Sequence, residues 1–415
     1  MSTDDRPRNL RVMLAEAKDT SELMVDLAYA AVYFGDPDMA EEVAQLEERM
    51  SDLVHEMRAV CILAVRNPRE ADAMSSVLQV VSAVERIAND AVDIARIVTH
   101  QLGIPRELVA DLSDAEEVSH RVLVRDGSHL ADRSLAALEL PIATGMRVMA
   151  IRRDRDWSFD VGGDEVLAPG DVLIVEGPPG GIGPLREMAA APLWEPPTPP
   201  EDGTLSDLDR AVDVLVEMKN ISEVAVGLAY SALVLRDRGL AAEVRQLEDR
   251  LDQMNDRLEL WVLRAAQENL DPSPLRGLLH LGQAAEDIGD QAQQMVWLIE
   301  QGEEVHPILG IALGEADEVV MRVPVAAGSL AAGAQLSSLR LSVEPGFQVL
   351  AVRRGGRYLY RPRGHVGLEV GDEVIASGPD EGRAPLAERF GWRFSEDEET
   401  GETGMEPLTG AGLGG

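Results

Sequence analysis

The chain has 415 residues, enough for two to four ordinary domains, and a formal net charge of −36, from 74 acidic against 38 basic residues. A field this negative, with no basic patch, argues against nucleic acid as a partner. Lys18 and Lys219 are the only lysines, so nearly every base is arginine. Acidity combined with lysine depletion points to the salt-rich cytoplasm of a halophile, where acidic surfaces stay hydrated and salt screens their repulsion.

Cys61 is the only cysteine, which excludes an internal disulfide, and in AVCILAV it reads as a small core residue. The N-terminus MSTDDRPRN has no apolar h-region. No apolar run approaches the roughly 20 residues of a membrane helix. The expectation is a cytoplasmic protein, peripheral at most to the inner face of a membrane.

In chain order, residues 8–104 read as a helical bundle. The first helix carries Leu23, Leu27, Ala30 and Phe34, and GDPD (35–38) ends it. On the second, Val43, Leu46, Met50, Leu53, Met57 and Val60 step by threes and fours, a bundle seam. After NPRE (67–70) the third helix places Val77, Val84, Ala91 and Val98 at sevens, with Val80, Ile87 and Ile94 between. This predicts three antiparallel helices with short loops. Residues 115–190 change period. VSHRVLVR, RVMAIRR, DWSFDV and DVLIVEG read as short strands, SLAALEL (134–140) and PLREMA (184–189) as helices. The order β-α-β-β-β-α makes a module of about 70 residues, small enough that pairing is expected.

A Pro-rich acidic linker at 191–205 follows, and then the pattern returns at an offset of 201. Between positions 14 and 50, 18 of 37 residues are identical to those at 215–251. The second helical part is read at 206–304 and the second small module at 316–394. The tail, 395–415, offers little to bury and is expected to be disordered. The fold class is therefore α+β: two tandem copies of a three-helix bundle followed by a β-α-β-β-β-α module. The copies are expected to pack as an internal pseudo-dimer about a pseudo-twofold, like part on like part, with further homo-oligomerisation left open.

The small modules open on Gly127-Ser128 and Gly328-Ser329, carry strand ends Ile151-Arg152-Arg153 and Val352-Arg353-Arg354, and share L-x-x-G-D-x-[LV]-x-x-x-G-P around Gly170-Asp171 and Gly371-Asp372. On these features they resemble the TrkA C-terminal (RCK-C) domain of potassium channel and transporter regulators. The helical parts, with E-x-x-x-D frames and EDIGDQA at 286–292, resemble the PhoU family. The order of the two resembles archaeal potassium channel regulators. No G-x-G-x-x-G lies between a strand and a helix, and GPPGGIG (177–183) has neither the spacing nor the place, so no bound NAD or other dinucleotide is expected.

In the second copy, Glu248 and Asp252 are four apart on one helix and Glu286 and Asp290 four apart on the next. Such pairs share a face, so two antiparallel helices can gather four carboxylates. An oxygen-only donor set suits Mg²⁺, Mn²⁺ or carboxylate-bound iron, and the PhoU resemblance implies metal binding through these motifs. The plainer alternative is a solvated acidic face. The first copy reads Glu47, Ser51, Glu85 and Asn89 at the same positions and is expected to bind no metal.

Lys18 and Lys219 occupy equivalent positions and each precedes a glutamate by four, Glu22 and Glu223. They read either as buried ion pairs or as an anion site. Arg152, Arg153, Arg353 and Arg354 read either as charged strand ends or as contacts to a phosphate-bearing ligand. For the latter the TrkA-C resemblance implies a nucleotide or cyclic dinucleotide at the paired modules. No arrangement of nucleophile, base or Walker motif points to catalysis. The reading is a non-enzymatic subunit that gates a membrane potassium channel or transporter in trans, in response to a ligand or ion. The alternatives are a PhoU-type regulator of phosphate-uptake signalling and a metal-binding helical protein.

Overall fold

The computed structural model describes residues 9–112, 115–154, 156–159, 161–194, 206–268, 272–303, 305–314, 316–396 and 403–408. In the first copy α1 (Leu10–Phe34), α2 (Pro37–Ala64) and α3 (Pro68–Thr99) break where the sequence predicts. Asn9 accepts from Arg11 N to cap α1, and Gly35, at φ 61°, takes the left-handed conformation that closes it. Asp36 caps α2 and Pro37 opens it, where its missing N–H costs nothing. The seam residues Val43, Leu46, Met50, Leu53, Met57, Val77, Val84, Ile87, Ala91 and Ile94 are buried, while Val60 and Val98, toward the helix ends, are half-buried.

A short helix not anticipated from sequence, α4 (Arg106–Asp111), leads into the first small module. There β1 (Val118–Leu123), β2 (Arg147–Arg153), β3 (Asp156–Ser158) and β4 (Val172–Gly177) form one sheet in the order β1-β4-β2-β3. The segment read as a single helix at 134–140 is two short ones, α5 (Leu135–Leu138) and α6 (Leu140–Thr144), parted by Glu139 at φ 46°. Pro141 in the first turn of α6 explains the break, since it can begin a helix but not continue one. The module ends on α7 (Ile182–Met188).

The second copy repeats this order. It comprises α8 (Asp207–Leu235), α9 (Arg238–Glu268), α10 (Ser273–Gln301) and α11 (Pro307–Leu313). Then come β5 (Glu318–Pro324), α12 (Leu336–Leu339), β6 (Gln348–Arg354), β7 (Arg357–Tyr360), β8 (Glu373–Pro379) and α13 (Arg383–Arg389). Its sheet has the same order, β5-β8-β6-β7. Among the described residues α8 alone is long and apolar enough to cross a membrane, a length the sequence reading did not grant it. Its most apolar stretch is 72% buried, so it is apolar because it sits in the core of a bundle.

The chain divides into two compact units that mix the copies: Met1–Ser119 with Glu195–Ala316, and His120–Trp194 with Asp317–Gly415. Like packs on like, as the repeat predicts. In the helical unit α3 and α10 meet, with Gln79 Nε2 donating to Gln294 O at 2.5 Å and Arg86 Nη1 to Gln294 Oε1 at 2.9 Å. In the other unit the modules touch reciprocally. A Cβ on Gly145 would strike the Ser342 carbonyl, and one on Gly346 would strike the Pro141 carbonyl. Both glycines have positive φ, 73° and 85°, so backbone geometry and close approach each call for glycine there.

One expectation fails in the tail. Residues 403–407, within the segment expected to be disordered, form β10 (Thr403–Pro407), which pairs antiparallel with β9 (Trp392–Glu396). The reason is apolar cover. Trp392, Phe394 and Met405 pack against the core of the second module, and Trp392 Nε1 donates to Pro324 O at 2.6 Å. The rest of the tail and most of the linker lie outside the described residues.

Candidate functional site

The carboxylates of the second copy come together because α10 lies close on α9. A Cβ at Gly289 would run into the Leu251 side chain, and one at Gly282 into Leu258. The first copy has Ala88 and Val81 at these positions. One oxygen from each of Glu248, Asp252 and Asp290 lies within 4.8 Å of the others. Glu286 joins them through a hydrogen bond with Asp252 and is approached by Gln283 Nε2, which also reaches Asp287 Oδ1 at 3.1 Å. Gln293 Nε2 donates to Glu248 Oε2 at 3.4 Å.

Electrostatically the cluster is under-compensated. Burial, then the charges of Asp252 and Asp290, push Glu248 up to about 7. Burial, then Asp290, Asp287 and Asp252, push Glu286 up to about 7. Asp290 is raised too, by burial first and then by Asp252 and Asp287. Among the described residues no ammonium or guanidinium forms an ion pair with any of the four. An oxygen-only set, half-buried at Glu248, Glu286 and Asp290 and exposed at Asp252, fits a hard divalent ion. The residues that would hold it are Glu248, Asp252 and Asp290, with Glu286 beside them.

Asp90, which the sequence reading missed, adds to this from the first copy. It sits on α3, and burial, then Asp287, Asp93 and Asp290, push it up to about 8. The repeat carried the signal: Asp90 lies over Gln291, and Arg86 over Asp287. One side of the α3–α10 contact therefore has Arg86 near Gln291, at 3.5 Å, and the other has two carboxylates.

The equivalent face of the first copy is different in kind. Arg58 Nη2 donates to Glu85 Oε2 at 2.5 Å and to Ser82 Oγ at 3.3 Å, and Arg58 Nη1 reaches Glu85 Oε1 at 3.4 Å. Glu47 is half-buried, while Ser51 and Asn89 are exposed.

The lysines are buried ion pairs. Lys18 Nζ is 2.6 Å from Glu22 Oε2, and Lys219 pairs with Glu223; each lysine side chain is only 4% exposed. Lys219 Nζ also lies 3.4 Å from Glu117 O.

Two of the four strand-end arginines act as staples. Arg153 grips Asp171 with Nε at 2.9 Å and Nη2 at 2.8 Å, and also donates to Val166 O. Arg354 grips Asp372 at 2.8 and 2.6 Å and donates to Gly367 O. Burial opposes ionisation of Asp171 and Asp372. The arginine hydrogen bonds and a backbone N–H outweigh it and hold both below the usual carboxylate range. Arg152 lies over Trp157, and Arg353 lies over Tyr358 and pairs with Glu373 at 2.8 Å.

None of these four arginines lines the cavity of about 330 Å³ between the two modules. Its charged lining comes from Arg340, Arg389 and Glu344, with Ala143 and Pro184 from the first module. Arg389 donates to Leu339 O at 2.9 Å and pairs with Glu344 at 2.9 Å. The counterparts of Arg340 and Arg389 are Glu139 and Met188, so the first module has no arginine at either position.

Comparison with known proteins gives two families, each matched twice. The PhoU domain matches residues 14–98 and 215–298, and the TrkA-C domain matches 120–190 and 320–391. Among solved structures the chain is similar to PhoU from Pseudomonas aeruginosa, at 16% identity over 70% of this chain and 93% of that one, TM-score 0.38. It is also similar to the GsuK channel bound to NAD, at 13% identity over 74% and 64%, TM-score 0.18. The GsuK RCK domain is a third, at 14% identity over 68% of each chain, TM-score 0.17. No curated protein matches. The chain is a tandem PhoU and TrkA-C domain protein, with each domain present twice.

Proposed function

We propose that the protein is a cytoplasmic regulatory subunit that acts in trans on a membrane potassium channel or transporter. The observation that carries this reading is the presence of two TrkA-C domains folded as one paired unit. In this reading the pair has two arrangements, and a ligand that prefers one of them shifts the balance toward it. The anionic ligand of this reading is a nucleotide or cyclic dinucleotide in the cavity bearing Arg340 and Arg389. The ion is Mg²⁺, Mn²⁺ or iron at the carboxylates of the second helical part.

A second reading, regulation of phosphate-uptake signalling, draws on the PhoU domains. Capture from membranes in molar salt, with the bound transporter identified by mass spectrometry, separates the two. A potassium channel or transporter supports the first reading. A phosphate transporter or its signalling kinase, without the former, overturns it in favour of the second.

A further inference from the structure

We propose that Arg58 is a built-in counter-cation that clamps α2 to α3 in the first copy, so that only the second half of the helical unit responds to a divalent ion. The inference rests on the cation reading of the second copy given above. At five equivalent positions the second copy has Glu248, Asp252, Glu259, Glu286 and Asp290, all carboxylates. The first copy keeps two carboxylates, Glu47 and Glu85, and places Ser51, Arg58 and Asn89 at the rest. All three changes move the charge in the same direction, and one of them supplies a cation.

That cation bridges the two helices. Arg58 on α2 makes a forked contact with Glu85 on α3, at 2.5 and 3.4 Å, and a third contact with Ser82 at 3.3 Å. A guanidinium matches a carboxylate in this bidentate way and keeps its charge at any physiological pH. In the second copy the residue over Arg58 is Glu259 and the one over Ser82 is Gln283, so no arginine stands at the clamp position. An ordinary exposed ion pair holds little. This one differs in bridging two helices with three contacts, at a position where its twin has the acid Glu259. At this face one half of the unit is then fixed by its own arginine, while the carboxylates shared by α9 and α10 are left to an external ion; elsewhere α9 and α10 are joined by Arg245 and Glu300, 2.7 Å apart.

Hydrogen exchange on the full chain tests this, with chelator-treated protein measured with and without MnCl₂. In the parent, Mn²⁺ at about a hundred times its dissociation constant slows exchange in α9 and α10 by up to about a hundredfold and leaves α2 and α3 unchanged. Arg58→Gln speeds exchange at 47–58 and 82–89 by about two- to fivefold, the range of a partly exposed ion pair, whether or not Mn²⁺ is present. The graft Ser51→Asp, Arg58→Glu, Asn89→Asp makes α2 and α3 respond to Mn²⁺. Arg58→Gln without effect on those segments overturns the clamp, and this arm needs no metal. Equal Mn²⁺ response of both halves in the parent overturns the one-sidedness. No Mn²⁺ response in α9 and α10 removes the cation reading, and the one-sided response with it. If the graft fails to fold, the Arg58→Gln arm still decides the clamp.

Discussion

The ammonium of Lys18 lies 5.1 Å from the ring centroid of Tyr230, a residue of the other copy, and Lys219 lies 5.2 Å from the ring of Tyr29. The two lysines thus exchange aromatic partners across the internal pseudo-twofold while each keeps its own glutamate, Glu22 or Glu223. A compact ammonium under a buried ring is a place where a planar guanidinium is a poor substitute. This gives a reason for lysine at these two positions in a chain that elsewhere uses arginine.

Lys219→Met leaves Glu223 without its partner and is expected to cost about 3–5 kcal/mol of stability. Lys219→Met with Glu223→Leu recovers much of the loss. Urea denaturation of both variants beside the parent checks this. A single variant as stable as the parent contradicts the ion-pair role.

The carboxylate cluster predicts a pH dependence. Glu248 and Glu286 titrate near 7 when folded, against 4.5 for an unperturbed glutamate. Between those values the folded state holds more protons than the unfolded one, so metal-free stability falls as pH rises from about 4.5 to 7. Mn²⁺ takes the place of the protons and restores the loss at pH 8, with little effect at pH 5. Metal-free Glu286→Gln is expected to melt about 2–4 °C above the parent at pH 8, equivalent to roughly 1 kcal/mol. Calorimetric melts across this range, with and without Mn²⁺, measure it.

Arg354→Ala removes the fork from Asp372, whose side chain is 2% exposed. The expected loss is about 2–3 kcal/mol at pH 7, with Arg354→Lys in between. Because Asp372 is held below 3.8, its contribution is present above that value and fades as pH falls through its folded pKa. The difference between parent and variant should therefore shrink in acid. A difference that is unchanged in acid contradicts the staple.

For the cavity between the modules, calorimetry with a panel of nucleotides and cyclic dinucleotides in molar KCl is expected to give heat with at least one member. Arg340→Ala should then weaken binding by about tenfold, the worth of a charge-assisted contact of roughly 1.4 kcal/mol. Arg354→Ala should leave binding nearly unchanged. The reverse order returns the site to the strand ends.

Much of this architecture was legible in the sequence. The offset of 201 predicts the pseudo-twofold, and the E-x-x-x-D spacing predicts the face that gathers Glu248, Asp252, Glu286 and Asp290. What was not legible depends on the register between elements. Arg58 meets Glu85 only because of how α2 is set against α3, and Asp90 reaches the second copy only through the α3–α10 contact. The cavity arginines Arg340 and Arg389 look like ordinary surface residues until the other module is placed beside them. The β10 strand hides in a polar, Gly-rich tail, where Met405 alone marks an apolar contact. The strand-end arginines drew attention by sitting side by side, yet the partners of two of them, Asp171 and Asp372, were already in the Gly-Asp turn of the motif.

The most direct test of the asymmetric carboxylate site is elemental analysis of protein exchanged into MnCl₂ and desalted, parent beside Glu286→Gln, Asp290→Asn and Glu85→Gln. The account predicts bound manganese in the parent and in Glu85→Gln, and its loss in the two variants of the second copy. Equal metal in all four proteins, or none in the parent, contradicts it.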